Sequence, residues 1–133
     1  MKTNLDLAGL LVRKAESDLA DVRRTLASAG PYDTGLFHCQ QAVEKYLKAL
    51  LAVHNVDYPK IHDVSELAEM CAQFCPDLRK LTFDMSEFNP FAVTIRYDDW
   101  DEDVSLELLE EIFDMCTQVR ALIIGALPET VRP

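Results

Sequence analysis

The sequence predicts an all-α fold: an antiparallel up-and-down helical bundle of four main helices plus a short helix. Apolar residues recur at three- and four-residue steps over several long stretches, the signature of amphipathic helices. Only four Gly and six Pro occur in 133 residues, a profile of helical protein rather than of disorder or a β-sandwich. Most breaks between the periodic stretches are short enough to make neighbouring helices antiparallel. The chain has the size of one domain and enough residues to bury a sizeable core, so residues 1–133 read as a single unit.

The first helix is expected over residues 5–29, with Leu5, Ala8, Val12, Ala15, Leu19, Val22 and Leu26 as its apolar set. Gly30-Pro31 ends it, and Asp33 or Thr34 is placed to cap the second helix, which runs to residue 54. Asn55 and Pro59 bracket the next turn. Asp63 followed by Glu66 has the form of a capping box opening a short third helix to residue 74. Pro76 starts a fourth helix, to residue 88. Between residues 89 and 103 the periodicity fails in NPFAVTIRYDDWDED, whose Pro, aromatics and β-branched residues predict an ordered but irregular connection. Connections that long in a compact domain usually carry function. The last helix spans residues 104–126 on the stripe Leu108, Ile112, Met115, Val119, Leu122 and Ile123.

The second helix carries two patterns. Leu36, Cys39, Val43, Leu47, Leu50 and Leu51 form a stripe that must be buried. His38, Gln41, Lys45 and Lys48 form another, which stacks an imidazole, a carboxamide and two ammonium groups. That second stripe offers mainly donors and cations, which suits a phosphate or carboxylate.

The net charge of −10 is concentrated rather than spread. Asp98, Asp99, Asp101, Glu102, Asp103, Glu107, Glu110, Glu111 and Asp114 follow one another with no Lys or Arg between them, and the rest of the chain is close to neutral. Sequence-independent nucleic-acid binding needs a basic surface, so direct binding of that kind is disfavoured. The acidic run is either a solvated loop with acids at a helix N-terminus or a docking edge for a basic partner. Charged residues interrupt the apolar pattern of the first turns, and no segment approaches a membrane span, so a cytoplasmic protein is expected. Cys39, Cys71, Cys75 and Cys116 fit buried free thiols better than zinc ligands. His54 and His62 lack a third ligand, and neither a metal nor a cofactor is expected.

The run FHCQQAVEKYLKALL, then IHDVSEL after a Pro-containing turn, then TIRYDD before a final helix, together resemble the HEPN family of small helical proteins. The resemblance spans residues 5–124 and is most specific over Gln40 to Ala49, with the His62-Asp63 and Arg96-Tyr97 pairs following in order. It implies a helical bundle, commonly dimeric, akin to the substrate-binding portion of kanamycin nucleotidyltransferase-like enzymes. It also implies a partner, since such proteins are often encoded beside a minimal nucleotidyltransferase in toxin–antitoxin or related modules. Many members are metal-independent ribonucleases with an Arg four to six residues before a His. No such pair exists here: none of the relevant positions before His38, His54 or His62 is an Arg, and no His follows Arg96 or Arg120.

The expected ligand-binding residues are therefore His38, Gln41, Lys45, Lys48, His62, Asp63, Arg96 and Tyr97, with no catalytic residue assigned. Lys45 and Lys48 are placed to meet phosphate as point charges and Arg96 as a bidentate fork. Gln41 suits a base edge or ribose hydroxyl, and Tyr97 or Trp100 a stacked purine. A structural alternative stands beside these roles. Gln40, Gln41, Glu44 and Lys45 would tie helices together or line a dimer interface, Asp63 would cap a helix, and Arg96 would neutralise Asp98, Asp99 or Glu44. The functional expectation is a non-catalytic accessory, substrate- or nucleotide-binding partner of a separate nucleotidyltransferase. A free-standing homodimer that binds a nucleotide or other anion is the alternative, and a metal-independent ribonuclease ranks behind both.

Overall fold

A computed structural model describes residues 3–58, 60, 63–92 and 104–133. Its α-helices are α1 (Asn4–Leu26), α2 (Asp33–Val53), α3 (Val64–Cys71) and α4 (Leu106–Ala126), with 3-10 helices at Pro76–Lys80, Met85–Phe91 and Glu129–Val131. The all-α bundle is thus observed, and no strand occurs among the described residues.

Side-chain pairings fix the directions of the long helices. Asn4 at the start of α1 bonds Asn55 just past the end of α2, so α1 and α2 are antiparallel. Arg23 lies over the Phe113 ring and Arg120 pairs with Glu16, so α1 and α4 are antiparallel too. The chain must therefore return between α2 and α4, and α3 with the first two 3-10 helices makes that return.

Local chemistry sets the ends. Thr3 and Asp6 form a reciprocal capping box at the start of α1. At the other end, Ser28 Oγ donates to Thr25 O and accepts from Gly30 N, a local alternative to helix that stops α1 short of the expected residue 29. Gly30, at φ +91°, adopts a conformation that a side chain would resist. Neither Asp33 nor Thr34 caps α2; Tyr32 precedes its first turn without a side-chain cap bond. Its C-terminus closes with Asn55 at φ 58°, Val56 N donating to Leu51 O and Asn55 N to Ala52 O, the Schellman arrangement. Ser105 caps α4, donated to by Leu108 N.

The predicted fourth helix is two 3-10 helices with an extended break at Leu81. Cys75 is driven from helical geometry by the following Pro76, which also ends α3 early, and Asp84 accepts from Ser86 N to start the second piece.

α2 is the central element. Leu36, Cys39, Val43, Leu47, Leu50 and Leu51 are fully buried, and no residue from Gly35 to Val53 is exposed. Gly35 permits a close approach to α4, since a Cβ there would lie 2.7 Å from Leu109 Cδ2. On α1, Ala8, Val12, Ala15, Leu19 and Val22 are buried as predicted, but Leu5 is 48% exposed.

Candidate functional site

The polar stripe of α2 does not face open water. It is half-buried, and its cations are already paired. His38 Nδ1 lies 2.9 Å from Asp18 Oδ1, and Lys45 Nζ donates to Asp18 Oδ2 at 2.5 Å. One nearly buried carboxylate on α1 thus holds two side chains seven residues apart on α2. Asp18 falls three residues after Ala15 and four before Val22, on the buried stripe of α1. That periodic placement was the signal for its role, although sequence reasoning did not single it out.

One turn further along, Lys48 Nζ donates to Glu44 Oε2 at 3.1 Å and lies 5.4 Å from the Tyr58 ring centroid. Gln40 Nε2 donates to Glu44 Oε1 at 3.2 Å, and Gln41 Nε2 to Gln40 Oε1 at 2.7 Å. Gln40 and Glu44 are themselves buried. Burial and the nearby Glu44 carboxylate raise the Tyr58 phenol above its ordinary pKa. A third cluster crosses three helices: Tyr46 donates to Glu16 at 3.1 Å while Arg120 grips Glu16 with a fork, its shortest contact 2.6 Å. Burial, then the charge of Glu16, pushes the Tyr46 phenol upward.

Asp63 lies at the start of α3, where it accepts from Ser65 N at 3.0 Å, Glu66 N at 3.3 Å and Asn89 Nδ2 at 3.1 Å. Asn89 returns its own oxygen to Val64 N. These bonds cap α3 and lower the Asp63 pKa, with the Ser65 and Asn89 side chains as the leading causes. The structure therefore brings His38, Gln41, Lys45 and Lys48 onto one side of α2. Asp63 serves a separate helix terminus. His62, Arg96, Tyr97 and Trp100 lie outside the described residues.

Asp18 offsets Lys45 and Glu44 offsets Lys48, one charge to one. The stripe is consequently not a cationic track. What remains for a ligand is the outer part of His38, at 30% side-chain exposure, and of Lys45, at 23%. No group of three His, Cys, Asp or Glu side chains suited to a metal occurs among the described residues. All four cysteines are buried free thiols, and Cys116 Sγ donates to Cys39 O at 3.5 Å. No helix among the described residues is long and apolar enough to cross a membrane.

A small helical bundle organised around a buried, ion-paired central helix is the class that fold and site define. The chain belongs to the HEPN family: the HEPN domain model matches residues 8–126. It is also similar to "Putative toxin MJ1304" of Methanocaldococcus jannaschii, 36% identical over 62 residues, which cover 47% of this chain and 40% of that protein. The match thus spans less than half of either chain. No solved structure matches the chain.

Proposed function

We propose that this protein is a non-catalytic HEPN partner of a separate minimal nucleotidyltransferase, within a module of the toxin–antitoxin kind. It would act in the cytoplasm as a homodimer, with the outer edges of His38 and Lys45 meeting an anionic substrate or nucleotide. The observation that carries this reading is the half-buried polar side of α2, where Asp18 and Glu44 hold polar side chains at fixed positions without any acid–base pair of the ribonuclease type in the sequence. Membership of the HEPN family and the toxin name of the archaeal relative support the setting. Gln41 and Lys48 are the next positions along the same side, and Arg96, Tyr97 and His62 complete the proposed set from the sequence.

The test is co-purification of the tagged protein from native lysate with mass identification. A small nucleotidyltransferase in stoichiometric amount is the expected result. A lone homodimer stabilised thermally by nucleotide would replace this reading with the free-standing binder. Cleavage of RNA by pure protein in EDTA, lost on His38→Ala, would overturn both.

A further inference from the structure

Along the side of α4 that faces the first two 3-10 helices runs an open groove, outside the polar stripe of α2. Its two halves meet at Gln118. One half, 640 Å³, sets Asp84, Glu87, Glu111 and Asp114 around an apolar floor of Phe83 and Met115. The other, 530 Å³, is mainly apolar, lined by Leu81, Ala121 and Leu122 with the Asp77–Lys80 pair at its edge.

The charge in this groove is unbalanced. Lys80 is held by Asp77 at 3.1 Å. Asp84 accepts from Ser86 N and Asp114 from Gln118 Nε2, but no cation among the described residues pairs with the four carboxylates of the acidic half. From Glu111 to Leu122 the α4 wall is about 16 Å long, or roughly three helical turns. Glu107 and Glu110 extend the acidic face, exposed, toward the start of α4.

We propose that this groove docks a basic amphipathic segment of a partner protein. An apolar side chain enters between Leu81 and Leu122, and Lys or Arg side chains roughly two turns away meet Asp84, Glu87, Glu111 and Asp114. Nucleic acid and anionic lipid are repelled by the same carboxylates, and a small cation has no use for the apolar half. Only a segment that is both apolar and basic uses the whole surface. Removal of apolar area from water supplies the affinity, while the rim carboxylates steer the encounter and set the register. The proposal takes only its biological setting from the partner-protein reading above, since the groove is testable by itself.

A labelled synthetic helical peptide, roughly four turns long with one leucine face and one lysine face, is titrated into the intact protein at physiological salt by fluorescence anisotropy. The scrambled peptide, its glutamate counterpart, single-stranded RNA and phosphatidylserine vesicles serve as competing probes. The basic amphipathic peptide is expected to bind and the other probes to fail. Glu111→Lys combined with Asp114→Lys weakens binding by about tenfold or more. Leu122→Asp does the same; because Leu122 is partly buried, Ala121→Glu on the exposed rim repeats the test without disturbing the core. Lys14→Glu on α1 leaves binding unchanged. No peptide binding, binding indifferent to these substitutions, or equal binding of RNA or vesicles overturns the proposal. A nucleotidyltransferase captured equally by wild type and groove variants overturns it as well, yet leaves the accessory reading intact.

Discussion

Asp18 of α1 and Lys45 of α2 form a half-buried ion pair, Nζ to Oδ2 at 2.5 Å, that ties these two long helices together at mid-height. Because Asp18 is only 8% exposed, its charge depends on Lys45 and His38 for solvation. Removing the ammonium leaves a buried carboxylate short of a partner. Lys45→Met is therefore expected to cost about 1–3 kcal/mol in urea denaturation, and the double variant with Asp18→Asn to recover part of that loss. A loss in Lys45→Met that Asp18→Asn fails to reduce would show the pair to be uncoupled. The same measurement must accompany any binding assay on Lys45, since a weakened ligand and a weakened fold would otherwise look alike.

Leu47 is fully buried in the central helix, and Leu7 is 39% exposed on α1. Leu47→Ala should cost about 2–5 kcal/mol, from lost transfer free energy and the cavity left behind. Leu7→Ala should stay within about 0.5 kcal/mol of wild type. Chemical denaturation of both variants in parallel checks the assignment of the core.

Asp63 caps α3 and is joined by Asn89 to the second 3-10 helix. Asp63→Ala should cost about 1–2 kcal/mol, with Asp63→Asn milder because a carboxamide oxygen still caps. Since the folded pKa is lowered, the charged-state contribution is present above the unfolded value near 3.8 and is lost as pH falls through the folded value. Asp63→Asn should flatten the acid limb of the stability curve.

Burial pushes the Cys71 thiol up to about 12, from an ordinary value of 9.0. Below the unfolded value this thiol leaves stability unchanged with pH. Between the two values the unfolded chain has released a proton that the folded one keeps, so stability falls as pH rises. Tyr46, raised by burial and Glu16, acts in the same direction. Urea midpoints measured from neutral to alkaline pH should decline, and Cys71→Ala should reduce the slope. At neutral pH all four buried thiols should resist alkylation until the protein unfolds.

Where helix boundaries follow from bonds within a few residues, they were legible. The last helix, Leu106–Ala126, lies close to the expected span, because Ser105 caps it and its stripe is unbroken. The predicted fourth helix became two short pieces because Leu81 is extended and Asp84 starts a new turn; Asp84 and Ser86 were visible, but the break needed the packing of Met85 and Phe88 into the core. The candidate site was half legible. The spacing of His38, Lys45 and Lys48 placed them on one side of α2, and Glu44, the partner of Lys48, lies four residues away on the same helix, while Asp18, which holds His38 and Lys45, lies on α1, 27 residues from Lys45.

By itself, the sequence determined the all-α class, the buried stripe of α2, most helix ends and the HEPN resemblance, because periodicity, caps and prolines act over three or four residues. Only the tertiary structure decided that the polar stripe of α2 is ion-paired and half-buried rather than a solvated cationic track. It also set the acidic residues of α4 beside an apolar groove. Glu44–Lys48 is a local i,i+4 pair, but the Asp18 pairing and the groove depend on which distant side chains the packed helices bring within a few ångströms, and no pattern within a few residues encodes that.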